Sequence, residues 1–178
     1  MVLFTVYPPD DGCTNTRCPH QIPLKKVYRK VAAVFTQGNS VQPAYNTSLY
    51  CPKCATSYHA NYLVNGGCRT YHPGIPDLIQ VGEHQFVEAK PIETWQANML
   101  FGWFSASNAS RVFESAMNNG SFEPSVWGMS STLMTNQVRD AFIILCLLED
   151  AQFRGHLLIV PHTGDQSNRF KAAMEDRN

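Results

Sequence analysis

Two cysteines three positions apart, Cys51-Pro52-Lys53-Cys54, are the residues of this sequence best suited to chemistry. On a tight turn such a pair presents both sulfurs to one tetrahedral ion at about 2.3 Å, which makes it half of a metal site. Cys13 and Cys18 supply the other half most economically, since their gap lies at the upper end of the spacing zinc loops use. The expected centre is a structural zinc site of Cys13, Cys18, Cys51 and Cys54 that stabilises the chain around it. His20, His59 and Cys68 are rivals for the third and fourth places, because His20 follows Cys18 closely and His59 lies five residues beyond Cys54. A CxxC pair also serves redox chemistry, but that use needs a thioredoxin-like βαβ setting, which short strands do not offer. Cys146, inside an apolar run, reads as a small core residue.

Two further groups of residues have chemical potential. Lys25, Lys26, Arg29 and Lys30 can clamp a phosphate backbone, with Tyr28 between them to stack on a base, or they can form the solvated edge of a strand. Asp77, followed by Glu88-Ala89-Lys90, resembles a metal-dependent nuclease signature. On one strand, period 2 puts Glu88 and Lys90 on the same face, where a carboxylate can hold Mg²⁺ and an ammonium can steady charge. Pro91 leaves little strand beyond Lys90.

The elements that must position these residues change character along the chain. Residues 31–36, 47–50, 58–64 and 69–71 read as short strands, with Asn65-Gly66-Gly67 turning a hairpin between the last two. Residues 79–81 and 85–88 continue that pattern around Gly82. After Pro91 the period becomes helical. Ile92, Trp95, Met99 and Trp103 recur on one face, which reads as core, and Val112, Phe113, Ala116 and Met117 follow a capping Ser107 or Asn108. A third helix over about 137–152 is apolar on most sides, 156–160 reads as a strand ended by Pro161, and Asp165 can cap a last helix carrying Phe170 and Met174. The division expected is a cysteine-cluster domain over 1–119, a linker over 120–136 and a helical segment over 137–178. The fold class is α+β, with a small zinc-stapled, short-stranded N-terminal part and helices packed behind it.

Composition bounds the rest. The 178 residues, 44% hydrophobic and 16% charged, suit a globular chain rather than a disordered one. No apolar run reaches the roughly 18 residues of a membrane span, and the N-terminus lacks the basic region of a signal peptide. An intracellular setting follows as an expectation, and in a reducing compartment paired cysteines bind metal more often than they form disulfides. Net charge is zero, yet residues 1–72 hold seven Lys or Arg against two Asp, a balance of +5 that suits an anionic partner and falls to +3 with four thiolates around zinc.

The run Ser48-Leu49-Tyr50-Cys51-Pro52-Lys53-Cys54-Ala55-Thr56-Ser57-Tyr58-His59 resembles the cysteine-cluster (CxC-type) domain associated with KDZ transposases. Arg69-Thr70-Tyr71, Gly74-Ile75-Pro76-Asp77, residues 79–84 and 105–108 are similar to further landmarks of that family in the same order. Asp140-Ala141-Phe142 and Pro161-His162-Thr163-Gly164-Asp165 with Arg169-Phe170 resemble the stretch that follows the cluster. The resemblance implies a non-catalytic, zinc-binding accessory region of fungal mobile elements, with Cys13, Cys18, Cys51 and Cys54 at the cluster positions and Cys68 where cysteine is not required. It sets the chain apart from the later cysteine pair and the catalytic core of a full transposase. The function expected is help in DNA recognition or transposase assembly, with DNA, a transposase core or another protein as partner and no small-molecule substrate. The alternatives are a Mg²⁺-dependent nuclease using Asp77, Glu88 and Lys90, and a protein-protein adaptor.

Overall fold

The computed structural model describes residues 4–18, 22–118 and 127–177. Its strands are β1 (Phe4–Val6), β2 (Lys25–Phe35), β3 (Val41–Cys51), β4 (Thr56–Tyr58), β5 (Tyr62–Asn65), β6 (Cys68–Tyr71), β7 (Leu78–Gln80), β8 (Gln85–Glu88) and β9 (Ile159–Pro161). They form one curled mixed sheet in the order β7-β8-β2-β3-β4-β5-β6-β9, with β1 parallel to β3 beside β4's place on the same edge. The helices are α1 (Ala89–Gly102), α2 (Ala106–Val112) running into a π-helical turn at Phe113–Met117, α3 (Thr135–Arg154), α4 (Gln166–Arg169) and α5 (Lys171–Glu175). Among the described residues no helix is long and apolar enough to cross a membrane.

β2 is an interior strand, paired on both sides, and shows why its apolar run is unbroken. Alternation sends Ala33 and Phe35 into the main core with Trp95, Phe113 and the apolar face of α3, while Ala32 and Val34 join Val6, Ala44 and Phe86 in a second cluster. The basic run lies in the same strand, which therefore starts at Lys25 rather than at Val31. β3 likewise begins earlier than its β-branched residues suggest, because Pro43 is tolerated inside it. Ala33, opposite Pro43, donates its N–H to His84 O (2.9 Å) on the other side, so Pro43's nitrogen faces away from β2 as well. On its outer edge β1 pairing begins only at Ala44, and no ladder bond is lost.

Residues 58–64 make two strands rather than one. His59-Ala60-Asn61 turns the chain between β4 and β5, and Asn61 ties that turn to the far end of the sheet. Its Nδ2 donates to Leu78 O (2.8 Å) and its Oδ1 accepts from Gln80 N–H (2.6 Å), so the sheet curls until β7 meets the β4–β5 turn. The Asn65-Gly66-Gly67 hairpin forms as expected: Gly66 and Gly67 have φ of 56° and 78°, the left-handed pair a tight hairpin needs.

In the helical layer, Trp95 is 1% exposed and Ile92 is buried, but Trp103 is 96% exposed, which corrects its reading as core. The helix ends at Gly102 and Trp103 takes a left-handed φ of 55°, so helical spacing no longer sets its direction. The cap of α2 is Ser105, whose Oγ accepts from Asn108 N–H, two or three residues before the expected Ser107 or Asn108. α3 brings Ile144, Leu145 and Leu148 into the core that β2 and α1 line, and β9 pairs with β6. Part of the expected 120–136 linker lies outside the described residues, while Leu133 within it is buried in that core.

Candidate metal centre

Two local structures aim the four sulfurs. Cys51 ends β3, and Pro52-Lys53 carries the chain round to Cys54, with proline's fixed φ suiting the turn's first corner. Ala55, in a left-handed conformation (φ 54°), redirects the backbone into β4. The N-terminal loop is closed by Cys13 N–H to Ile22 O (3.1 Å) and Leu24 N–H to Asp11 O (2.8 Å), and Cys18 N–H bonds back to Asn15 O (2.9 Å). Asn15 Oδ1 accepts from Arg17 N–H (3.0 Å), a side-chain turn that fixes the loop before Cys18.

The four Sγ atoms lie within 4.8 Å of one another, with Cys13–Cys54 at 3.6 Å and Cys18–Cys51 at 4.0 Å. No cysteine is joined in a disulfide, and a sulfur–sulfur bond would be about 2.05 Å. Four thiolates about 2.3 Å from one ion at tetrahedral angles stand about 3.8 Å apart, so these two pairs bracket the spacing a metal imposes. Cys13, Cys18 and Cys51 are buried and Cys54 is half-buried.

Hydroxyl groups around the quartet are oriented by their own bonding. Tyr58 Oη accepts from Thr14 N–H (3.0 Å) and Asn15 N–H (3.2 Å), which fills both lone pairs and directs its proton to Cys13 Sγ at 3.4 Å. Thr56 Oγ1 accepts from Asn15 Nδ2 and Asn65 Nδ2, each at 2.9 Å, and is left to donate to Cys54 Sγ at 3.1 Å. Both sulfurs are thus treated as acceptors, the state of a thiolate ligand. Desolvation opposes ionisation of Cys54, but the hydrogen bonds from Thr56, Cys51 and Cys13 outweigh it and bring the thiol down to about 6. Burial, then the contact with Cys13, pushes the Tyr58 phenol up, keeping it a donor. Sequence reasoning passed over Thr56 and Tyr58, although alternate strand positions directly after a CxxC turn are where such supports belong.

A family model described as CxC5 like cysteine cluster associated with KDZ transposases matches residues 1–117. The chain belongs to this family. The matched CxC5 stretch contains all four clustered cysteines and ends within the π-helical turn after α2, so the resembling residues at 140–142 and 161–170 lie beyond it. No curated protein and no solved structure matches the chain.

Of the rival ligands, Cys68 and His59 are not part of the quartet. Cys68 is exposed at the start of β6, His59 packs against Tyr62 with ring centroids 4.9 Å apart, and His20 lies outside the described residues. The basic run is exposed but partly engaged: Arg29 stacks 3.6 Å from the Tyr45 ring centre, Lys26 lies 5.9 Å from that of Tyr7, and Lys30 pairs with Glu83 at 3.2 Å. Lys25 opens the strand, and β8 pairs only with residues 33–35 of β2, leaving the edge beside the run without a strand partner among the described residues.

The strand face expected to carry both Glu88 and Lys90 does not form. Glu88 caps β8, whereas Lys90 is already inside α1, because Pro91 suits a helix's first turn better than a strand. Lys90 bonds Glu93 at 3.1 Å, Glu88 accepts from Gln37 N–H at 2.8 Å, and Asp77 bonds Ala89 through its backbone carbonyl. Glu88 and Lys90 therefore share no strand face.

Proposed function

We propose that the chain is a zinc-binding accessory module of a KDZ-type transposase system, with no catalytic centre of its own, that assists DNA recognition or transposase assembly. The observation that carries this reading is the quartet of sulfurs within 4.8 Å of one another, three of its cysteines buried, with hydroxyl donors turned towards two of the sulfurs. Zinc suits such an all-sulfur, closed site because it needs no particular d-electron geometry and binds thiolate strongly. Cys13, Cys18, Cys51 and Cys54 hold it, and when bound it supplies cross-linking rather than reactivity.

The DNA arm of the proposal is supported by the exposed cations on the open edge of β2, one strand away from the cysteine turn. Binding of metal-loaded protein to duplex DNA, measured against salt, tests it. The expected result is a steep slope of log K against log salt that falls by about 2 when Lys25 and Lys26 are both changed to alanine. Absence of duplex binding at low salt removes DNA and leaves transposase assembly as the role.

A further inference from the structure

Away from the cysteines, the curl of the sheet leaves a cleft of about 560 Å³ where the β4–β5 turn, β6, the β7–β8 turn and the segment after β9 approach one another. That volume is in the range of small-molecule sites. Arg69 from β6 reaches it with its guanidinium 4.4 Å from the Tyr62 ring centre and its Nε donating to His162 Nδ1 at 3.1 Å. This bond makes Nδ1 the acceptor and fixes the proton on Nε2, so neutral His162 retains one N–H donor. Arg169 lines the same cleft, and its Nη2 donates to His162 O (3.0 Å) and Gly164 O (3.1 Å), which holds the 161–165 turn in place.

Asp140 lies near enough to Arg169 to favour its charged form, so the charge in this cleft without a carboxylate partner among the described residues is that of Arg69. Glu83 is the cleft's only acidic lining residue among those described, and its oxygen is engaged by Lys30 and His84, each at 3.2 Å. No carboxylate among the described residues forms an ion pair with Arg69. Burial and this positive charge act together on the neighbouring imidazoles. Burial first, then Arg69 and the nearby imidazoles, holds His59 down to about 4, and burial with Arg69 and Arg169 lowers His162. Gln80, 8% exposed, adds an unmet acceptor: its Nε2 holds Gly82 O and Glu83 O, while Oε1 has no hydrogen-bond partner among the described residues. Two forked cations, an imidazole donor and a buried amide oxygen together suit an oxyanion that also carries a hydroxyl or amino donor.

We propose that this cleft binds a phosphate ester of nucleotide size, with the phosphate on Arg69, Arg169 and His162 and a ligand O–H or N–H on Gln80. The site is separate from the cysteine quartet and from Lys25 and Lys26, so it stands or falls independently of duplex binding.

Calorimetric titration of the metal-loaded full chain with a nucleoside 5′-monophosphate, and in parallel with inorganic phosphate, tests the proposal. The nucleotide is expected to bind more tightly than inorganic phosphate, and Arg69→Gln is expected to weaken it at least about tenfold, with Arg69→Lys between the two. Because Arg69 also packs on Tyr62, a second readout uses the unmodified chain: nucleotide should shift the ¹⁵N resonances of the Arg69 Nε and the His162 imidazole. No binding at millimolar nucleotide, a nucleotide no tighter than inorganic phosphate, or shifts confined to residues 25–30 overturns it.

Discussion

Among the described residues, Cys13, Cys18, Cys51 and Tyr58 make a cluster of four buried residues at the loop end of β3, whereas the helix-backed side of the sheet assembles 23, from Ala33 to Phe170. The larger cluster is stabilised by area removed from water, which scales with the number of side chains packed. The smaller one buries too little to order two loops 32 residues apart in sequence, since each fixed residue costs about 1–2 kcal/mol of backbone entropy. Its geometry is instead that of four sulfurs close enough to share one ion. One chain therefore uses two ways of closing a structure, and they should fail under different insults.

Removing metal should have the largest effect and should be confined to one region. With a chelator present, amides of residues 13–18 and 51–58 are expected to lose hydrogen-exchange protection as about 10 kcal/mol or more of apparent binding free energy is withdrawn. Those of α3 should stay protected, and their simultaneous loss would show that the two regions are not separately held. The converse is Ile144→Ala, which opens a cavity in the helix-backed core. A loss of about 2–5 kcal/mol in denaturant unfolding is expected, with metal content unchanged.

Tyr58→Phe sharpens the comparison inside the corner. It deletes the proton directed at Cys13 and strands the Thr14 and Asn15 N–H groups. The expected cost is about 1–3 kcal/mol, together with metal affinity weaker by about 10- to 100-fold in a competition titration. An unchanged affinity would mean the hydroxyl merely fills space.

Acid probes the region between the two. His59 is held down to about 4 in the folded chain, against 6.5 when free, so only the unfolded chain takes up its proton between those values. The stability linked to His59 is complete above pH 6.5 and is lost as pH falls towards 4, at up to about 1.4 kcal/mol per pH unit. Unfolding free energies of the chain and of His59→Gln, compared across that window, should converge as pH falls. Protonation of the cysteines is common to both and cancels. Parallel curves would contradict the assigned burial.

What was legible in the sequence is what chemistry makes local. CxxC spacing, the Gly66-Gly67 hairpin and the helical period from Ile92 each depend on residues a few positions apart, and each is realised. The β3 strand was half-read because Pro43 looks like a breaker until the edge it faces is known. Trp103 was misread because a period does not announce where its helix stops. The cationic cleft was illegible, since Arg69 and His162 meet across 93 residues through the pairing of β6 with β9, and the curl clamped by Asn61 then brings the β7–β8 turn against them. Thr56 and Tyr58 fall between: their positions were visible, but their role depends on lone pairs filled from the other loop.

The most direct test is elemental analysis of the protein purified without added metal, alongside Cys51→Ser and the double variant Cys13→Ser/Cys18→Ser. The account predicts one zinc per chain, retained through desalting, and less than a tenth of that in both variants. A full complement of zinc after loss of Cys13 and Cys18, or a well-folded native chain free of any metal, would contradict it.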